Sequence, residues 1–190
     1  MRKLIPRFAE GRLQSRGDAF TTLSRSVVGQ QISVKAAQTV WDRFIAVVNG
    51  SSPSLKPSEV LAVNAENLRA AGLSGRKVEY LADLARHFES GAVHVSQWQQ
   101  MEDEAIIEEL VAIRGIGRWT AEMFLIFHLM RPNVLPLDDV GLLKGISVNY
   151  FSGEPVSRAE AREVGDAWTP FCSVATWYIW RSLDPLPVAY

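Results

Sequence analysis

The chain has 190 residues, of which 47% are hydrophobic, and its 20 lysines and arginines against 21 aspartates and glutamates give a net charge of −1. This length suits one domain with a sizeable core, and the balanced charge excludes a polybasic binding tail and an acidic solvating chain. Taken alone, the charge also argues mildly against nucleic acid as the partner.

The predicted elements are helical almost throughout, because apolar residues recur at helical spacing. Five helices are predicted to begin beside a capping residue or a proline, at Asp18, Ser33, Pro57, Asn64 and Ser74. Five more are predicted over residues 103–112, 118–130, 139–148, 158–168 and 171–183. Val93 and Val95 resemble a strand, but the run is too short to count as one. The sequence therefore predicts an all-α fold of about ten helices in two lobes, within one domain spanning residues 1–190.

Several classes of site are excluded by residue counts. Cys172 is the single cysteine, so the chain can form no internal disulfide and no four-thiolate zinc or iron–sulfur site. The three histidines, His87, His94 and His128, lack metal-ligand spacing. No apolar run is long enough to span a membrane, and the start lacks a signal peptide's apolar region. We therefore expect a cytoplasmic protein in a reducing compartment.

The sharpest motif is a glycine-containing break between two helices, LVAIRGIGRWTA at residues 110–121. Gly115 and Gly117 permit positive φ and a close approach of the backbone to a ligand. The first amides of the second helix have no intrahelical acceptor and lie at the positive end of the helix dipole. The segment therefore predicts a backbone anion site suited to a phosphate. A plain helical hairpin, whose glycines only make the turn, stays open as the alternative.

Two adjacent carboxylates, Asp138 and Asp139, introduce a helix shortly after this hairpin. Helix capping explains one of them. The other lies at the helix start, where a carboxylate tends to stay ionised. Beside a pocket, such a group can stabilise a developing cation or hold a water molecule.

Five blocks of sequence together resemble the helix-hairpin-helix (HhH-GPD) DNA glycosylases, and more narrowly their 3-methyladenine DNA glycosylase II branch. They are VGQQISVKAA at 28–37, GLSGRK at 72–77, GIGRWTA at 115–121, LPLDD at 135–139 and WTPFCSVATWYIW at 168–180. The resemblance implies a two-lobed helical fold with an active-site cleft between the lobes and no N-terminal sheet domain. It also implies a monofunctional enzyme that excises alkylated purines from double-stranded DNA by hydrolysing the N-glycosidic bond, the first step of base excision repair.

The resemblance assigns roles residue by residue. Asp139 matches the catalytic aspartate, and Asp138 its helix-capping neighbour. Trp119 stands where bifunctional members carry a nucleophilic lysine, which implies that lyase activity is absent. The implied base pocket comprises Trp119, Phe171 and Met123. The implied DNA-binding groups are Gln31 as the wedge and Gly115, Gly117, Arg118 and Thr120 at the hairpin. The backbone carbonyls of Val111, Ile113 and Ile116 would hold a monovalent cation, Na⁺ or K⁺, and no further cofactor is required.

The chain departs from the family pattern at a few points. Cys172 stands where an arginine is usual, so a local salt bridge or phosphate contact is expected to be missing. No cysteine cluster follows the catalytic region, which excludes the iron–sulfur branch of the superfamily. Relatives usually carry another helical segment before the stretch that resembles residues 1–6.

Two alternative functions stay open: a non-catalytic DNA-binding module, and a glycosylase for deaminated or mismatched bases. A pure binder needs neither Asp139 nor Trp119, and neutral bases would require additional hydrogen-bonding groups that are not obvious in the sequence. The expected partner is double-stranded DNA with alkylated bases, bound by a monomer at the bacterial nucleoid without membrane contact. Since backbone amides bind phosphate without formal charge, the balanced charge now predicts a shallow salt dependence of DNA binding.

Overall fold

The computed structural model describes residues 1–8, 13, 15, 17–50 and 52–184. Within these ranges the chain forms ten α-helices, one turn of 3-10 helix at Ile5–Phe8 and no β-strand, which confirms the all-α prediction. In chain order the helices are α1 (Ala19–Gly29), α2 (Val34–Asn49), α3 (Pro57–Ala62), α4 (Ala65–Ala70), α5 (Gly75–Glu89), α6 (Asp103–Val111), α7 (Arg118–Phe127), α8 (Val140–Tyr150), α9 (Arg158–Asp166) and α10 (Cys172–Leu183). None of these helices is both long enough and apolar enough to cross a membrane.

Capping side chains set most of the predicted helix starts. Asp18, Ser33, Asn64 and Ser74 each accept a hydrogen bond from the backbone N–H three residues further on. Each bond satisfies an amide that has no acceptor inside its helix. The least accurate boundary is the end of α7, which lies at Phe127, three residues before the predicted end at Met130. Met130 has a φ of 56°, which is outside the range of a right-handed helix.

The chain divides into two compact units. The middle unit is Arg16–Phe124, and the terminal unit combines Met1–Ser15 with Leu125–Tyr190. Because α7 runs across this division, its first residues belong to the middle unit and its last residues to the terminal unit.

In the middle unit, α5 packs against α1, α3 and α4. A row of aromatic rings crosses the core from Phe20 through Phe88 and Trp98 to Phe124, with successive centroids 5.3, 6.3 and 5.5 Å apart. The indole N–H of Trp98 donates to the carboxylate of Glu109 on α6 at 2.8 Å. This core anchors α6 and the first part of α7, which together form the predicted hairpin.

In the terminal unit, α8 packs against α9 and α10. Gly141 and Gly145, one turn apart on α8, both face α10. A Cβ atom on Gly145 would lie 2.2 Å from Cγ2 of Ile179, and one on Gly141 would lie 3.2 Å from Cδ1 of Trp180. The two glycines therefore allow α10 to lie closer to α8 than any side chain at these positions would permit.

We expect Gly145→Ala to destabilise the chain by about 1–3 kcal/mol, because the added methyl group overpacks the contact between α8 and α10. Urea unfolding followed by circular dichroism measures this change. Gly75→Ala is the control, because a Cβ atom there meets nothing within 4 Å. Equal stability of the two variants would show that α10 does not need the glycine.

Candidate active site

The packing of the chain requires glycine at one of the two glycine positions in the hairpin and not at the other. Gly115 has a φ of +86°, and a Cβ atom there would lie 2.2 Å from Cδ2 of Tyr80, so the fold itself requires glycine. Gly117 does not have a positive φ, although glycine permits one, and a Cβ atom on it would meet nothing within 4 Å. The packing of the chain around Gly117 therefore leaves room for a larger residue.

The start of α7 presents backbone donors. The N–H of Ala121 donates to the carbonyl of Gly117 at 3.0 Å, which makes Gly117 the residue that opens the helix. The amides of residues 118–120 consequently have no acceptor within α7. Glycine also carries no side-chain oxygen that could cap them, in contrast to the serines that open α2, α5 and α9. The arrangement favours an anion at this helix start.

Arg118 contributes its backbone N–H to this site, while its guanidinium is engaged elsewhere. The guanidinium pairs with both carboxylate oxygens of Glu104 on α6, and Nε contacts Oε1 of Glu122 at 3.1 Å. The hydrogen bonds with Glu104 raise the pKa of Arg118 and lower that of Glu104. The side chain thus ties α6 to α7, and the role predicted for Arg118 rests on its amide.

The turn between α1 and α2 carries Gln31, which is exposed and has a φ of 60°. Its neighbour Gln30 donates from Nε2 to the carbonyl of Gly115 at 2.9 Å. Lys77 supports the same turn from Nζ, which donates to the carbonyl of Val28 at 2.7 Å. The turn that presents Gln31 is therefore bonded directly to the hairpin.

Trp119 and Met123 lie one turn apart on α7 and share a face of that helix. Trp119 is 38% exposed and Met123 is 7% exposed. Thr120, between them, is buried. The indole of Trp119 is thus the more accessible of the two predicted pocket groups in the middle unit.

The carbonyls of Val111, Ile113 and Ile116 all belong to the hairpin, and neutral carbonyl oxygens are suitable ligands for a hard monovalent cation. The carbonyl of Ile113 also accepts the N–H of Ile116 at 3.1 Å, which holds the turn between them closed. A carbonyl oxygen has two lone pairs and can serve both partners. The residues present therefore fit such an ion by their chemistry, and within the described ranges no cluster of histidine, cysteine or carboxylate side chains offers a competing metal site.

Asp139 lies in the terminal unit, 8% exposed, at the start of α8. Its Oδ1 accepts two hydrogen bonds, from the N–H of Leu142 at 2.6 Å and from the indole Nε1 of Trp180 at 2.7 Å. Asp139 is therefore the capping residue of α8. The expectation that Asp138 fills this position is wrong, because Asp138 points to α9, where its Oδ1 pairs with Arg158 at 2.6 Å.

Sequence reasoning missed Trp180. Tryptophans on helices are usually core residues, but of Trp41, Trp98, Trp177 and Trp180 only the first two are buried. Trp177 and Trp180 are partly exposed on α10. The spacing of Gly141 and Gly145 predicts that another helix packs closely against α8. Nothing in the sequence indicates which residues of that helix contact the two glycines.

Phe171 immediately precedes α10 and is 60% exposed. Cys172, the next residue, is buried, and its Sγ lies 3.5 Å from the carbonyl of Gly165. Burial raises the pKa of the Cys172 thiol. An uncharged residue suits this enclosed position.

Comparisons with known proteins agree on one family. Residues 24–170 match the family described as HhH-GPD superfamily base excision DNA repair protein. DNA-3-methyladenine glycosylase 1 of Schizosaccharomyces pombe is 32% identical over 182 residues, which cover 95% of this chain and 79% of that protein. A Bacillus subtilis relative, YfjP, is 30% identical over 169 residues, but the chain spans only 59% of its length.

Solved structures give the same answer. A DNA-3-methyladenine glycosidase from Bacillus halodurans superposes with a TM-score of 0.86 at 35% identity, covering 96% of this chain and 88% of that one. The Schizosaccharomyces pombe enzyme Mag1, in complex with abasic DNA, superposes with a TM-score of 0.79 at 29% identity, covering 98% and 93%. The chain belongs to the HhH-GPD superfamily of base excision DNA repair proteins.

Proposed function

We propose that the chain is a monofunctional DNA-3-methyladenine glycosylase that hydrolyses the N-glycosidic bond of alkylated purines in double-stranded DNA. The observation that carries this proposal is Asp139, a buried carboxylate held by two N–H donors. The sequence resemblance matches this residue to the family's catalytic aspartate. The similarity to fission-yeast DNA-3-methyladenine glycosylase 1 supports the same chemistry. We propose that the chain works as a monomer.

The hairpin grips a DNA phosphate through the amides that follow Gly117. These donors read no base sequence, as befits an enzyme that recognises damage in any context. A monovalent cation bound by the carbonyls of Val111, Ile113 and Ile116 would add positive charge to the hairpin.

The target base lies inside the duplex stack, so it must be extruded before it can react. Gln31 is exposed at the tip of a tight turn and fills the space that the base leaves. The bond from Gln30 to Gly115 holds this wedge in place relative to the phosphate-binding amides.

An alkylated purine is electron-poor and often cationic, and an indole face attracts a cation by roughly 0.5–2 kcal/mol. We assign this stacking to Trp119, with Met123 on the same helix face and Phe171 as a further aromatic contact. Trp119 has no amine nucleophile, so the chain forms no Schiff base with the sugar and leaves the abasic strand uncut.

Asp139 stabilises the oxocarbenium-like sugar as the glycosidic bond breaks and positions the attacking water. A cationic base is already a good leaving group, so no strong general acid is needed. The hydrogen bonds from Leu142 and Trp180 both end on Oδ1 of Asp139, and they fix the orientation of the carboxylate before the substrate arrives.

Asp139→Asn tests this assignment. Asparagine keeps an oxygen that can cap α8, so the fold is retained, while the loss of negative charge lowers the excision rate by at least about 100-fold. The measurement is release of 7-methylguanine from a duplex, with strand breaks appearing only after hot alkali. Asp138→Asn is the matched control, because Asp138 pairs with Arg158 instead, and it should excise at the wild-type rate. Full excision by Asp139→Asn would refute the proposed function.

Gly117→Ser tests the phosphate site. Serine is a good capping residue and has room at this position, so stability is kept or raised. Its hydroxyl then accepts a hydrogen bond from a backbone N–H that would otherwise bind the phosphate. The affinity for an abasic-site duplex should therefore fall about 10- to 100-fold, as for loss of one hydrogen bond to a charged group. Fluorescence anisotropy measures the affinity, and thermal unfolding checks the fold. Unchanged affinity would place the phosphate elsewhere.

The salt dependence of binding follows from the engagement of Arg118 with Glu104 and Glu122. Arg114, the other cationic residue of the hairpin, is also paired with a carboxylate, that of Glu79. We therefore expect few counterions to be displaced from the DNA. The slope of log K against log salt should therefore stay well below the magnitude of about 10 that a repressor reaches. A slope of that size, measured between 50 and 200 mM salt, would show that side-chain cations dominate.

A further inference from the structure

We infer that Trp180 is a positioning residue for this reaction, which it serves by holding the carboxylate of Asp139 in its reactive orientation. The inference rests on the proposed function, in which Asp139 is the catalytic residue. It concerns a side chain 41 positions further along the sequence, on another helix.

The contact has the geometry of a strong hydrogen bond. Nε1 of Trp180 lies 2.7 Å from Oδ1 of Asp139. Phe127 stacks against the indole with ring centroids 5.7 Å apart and an interplanar angle of 16°. The stacked ring restrains the plane of the indole, and the plane of the indole sets the direction of its N–H.

Gly141 keeps the space between the two groups open. A Cβ atom on Gly141 would lie 3.1 Å from Oδ1 of Asp139 and 3.3 Å from Nε1 of Trp180, tighter than ordinary contacts. Any side chain at Gly141 would therefore crowd both Asp139 and Trp180.

Helix capping alone does not account for this arrangement. Ser33, Ser74 and Ser157 cap their helices by accepting from a backbone N–H three residues away. Asp18 caps α1 in the same way through Oδ1, and its additional bonds, from the hydroxyls of Thr21 and Ser54, go to the other oxygen, Oδ2. Asp139 already makes that bond, to Leu142, and the indole adds a second donor to the same oxygen. The second bond restricts rotation of the carboxylate and compensates its burial, which are needs of a reacting group.

A carboxylate displaced by about 1 Å from its productive position can cost about 100-fold in rate. Trp180→Phe removes the N–H and leaves an aromatic ring to stack on Phe127. We expect its single-turnover excision rate at saturating enzyme, on a duplex containing 7-methylguanine, to fall about 10- to 100-fold. Its Kd for an abasic-site duplex should stay within about twofold of wild type, since no DNA contact is removed.

Trp177→Phe is the matched control, because Trp177 lies on the same helix and packs against Tyr178 and Arg181. It should excise at the wild-type rate. Gly141→Ala is a second probe, since its methyl group presses between Asp139 and Trp180, and it should also slow excision while leaving abasic-DNA binding intact.

The outcomes separate the two proposals. Wild-type excision by both Trp180→Phe and Gly141→Ala, with Asp139→Asn inactive, overturns the positioning role and leaves the proposed function standing. An equal loss of excision rate and of abasic-DNA affinity in Trp180→Phe also overturns it, because the residue would then act through the fold. Full excision by Asp139→Asn removes the proposed function itself.

Discussion

The close contact between α8 and α10 governs the surroundings of the proposed catalytic carboxylate. Gly145 admits Ile179 against the backbone of α8, and Gly141 admits the indole of Trp180 one turn earlier. Dispersion between such closely packed surfaces contributes stability through many small terms. The same closeness brings a donor from the second helix within 2.7 Å of Asp139. The packing of the terminal unit, and the chemistry proposed for Asp139, thus depend on two positions without side chains.

Under the proposed function, Asp139 combines two duties. It starts a helix, which favours a fixed carboxylate, and it is proposed to face a developing positive charge, which requires a carboxylate that is already oriented. The dipole of α8 favours negative charge at this end. A residue that serves both purposes couples the stability of the terminal unit to its reactivity. Asparagine can replace it in the first duty and not in the second.

Signals from residues close together in the sequence predict the fold well. Contacts between residues far apart in the sequence could not be predicted. Helix starts follow from caps such as Ser33 and Ser74, whose hydrogen bonds span three residues. The identity of the cap of α8 was missed because two adjacent aspartates satisfy the same local rule, and the choice depends on Arg158 and Trp180. The engagement of Arg118 likewise depends on Glu104, which lies on another helix. The family resemblance assigned Asp139 its role, and local pattern could not have done so.

The presence of cysteine at position 172, where relatives carry arginine, affects how the protein itself reacts with alkylating reagents. Electrophiles react with the thiolate form of cysteine. The single thiol of this chain is buried, and burial raises its pKa, so it presents little thiolate to solvent. Reagents that methylate purines also methylate exposed thiolates. Under the proposed function, a repair enzyme that works while such reagents are present gains from keeping its single thiol out of their reach.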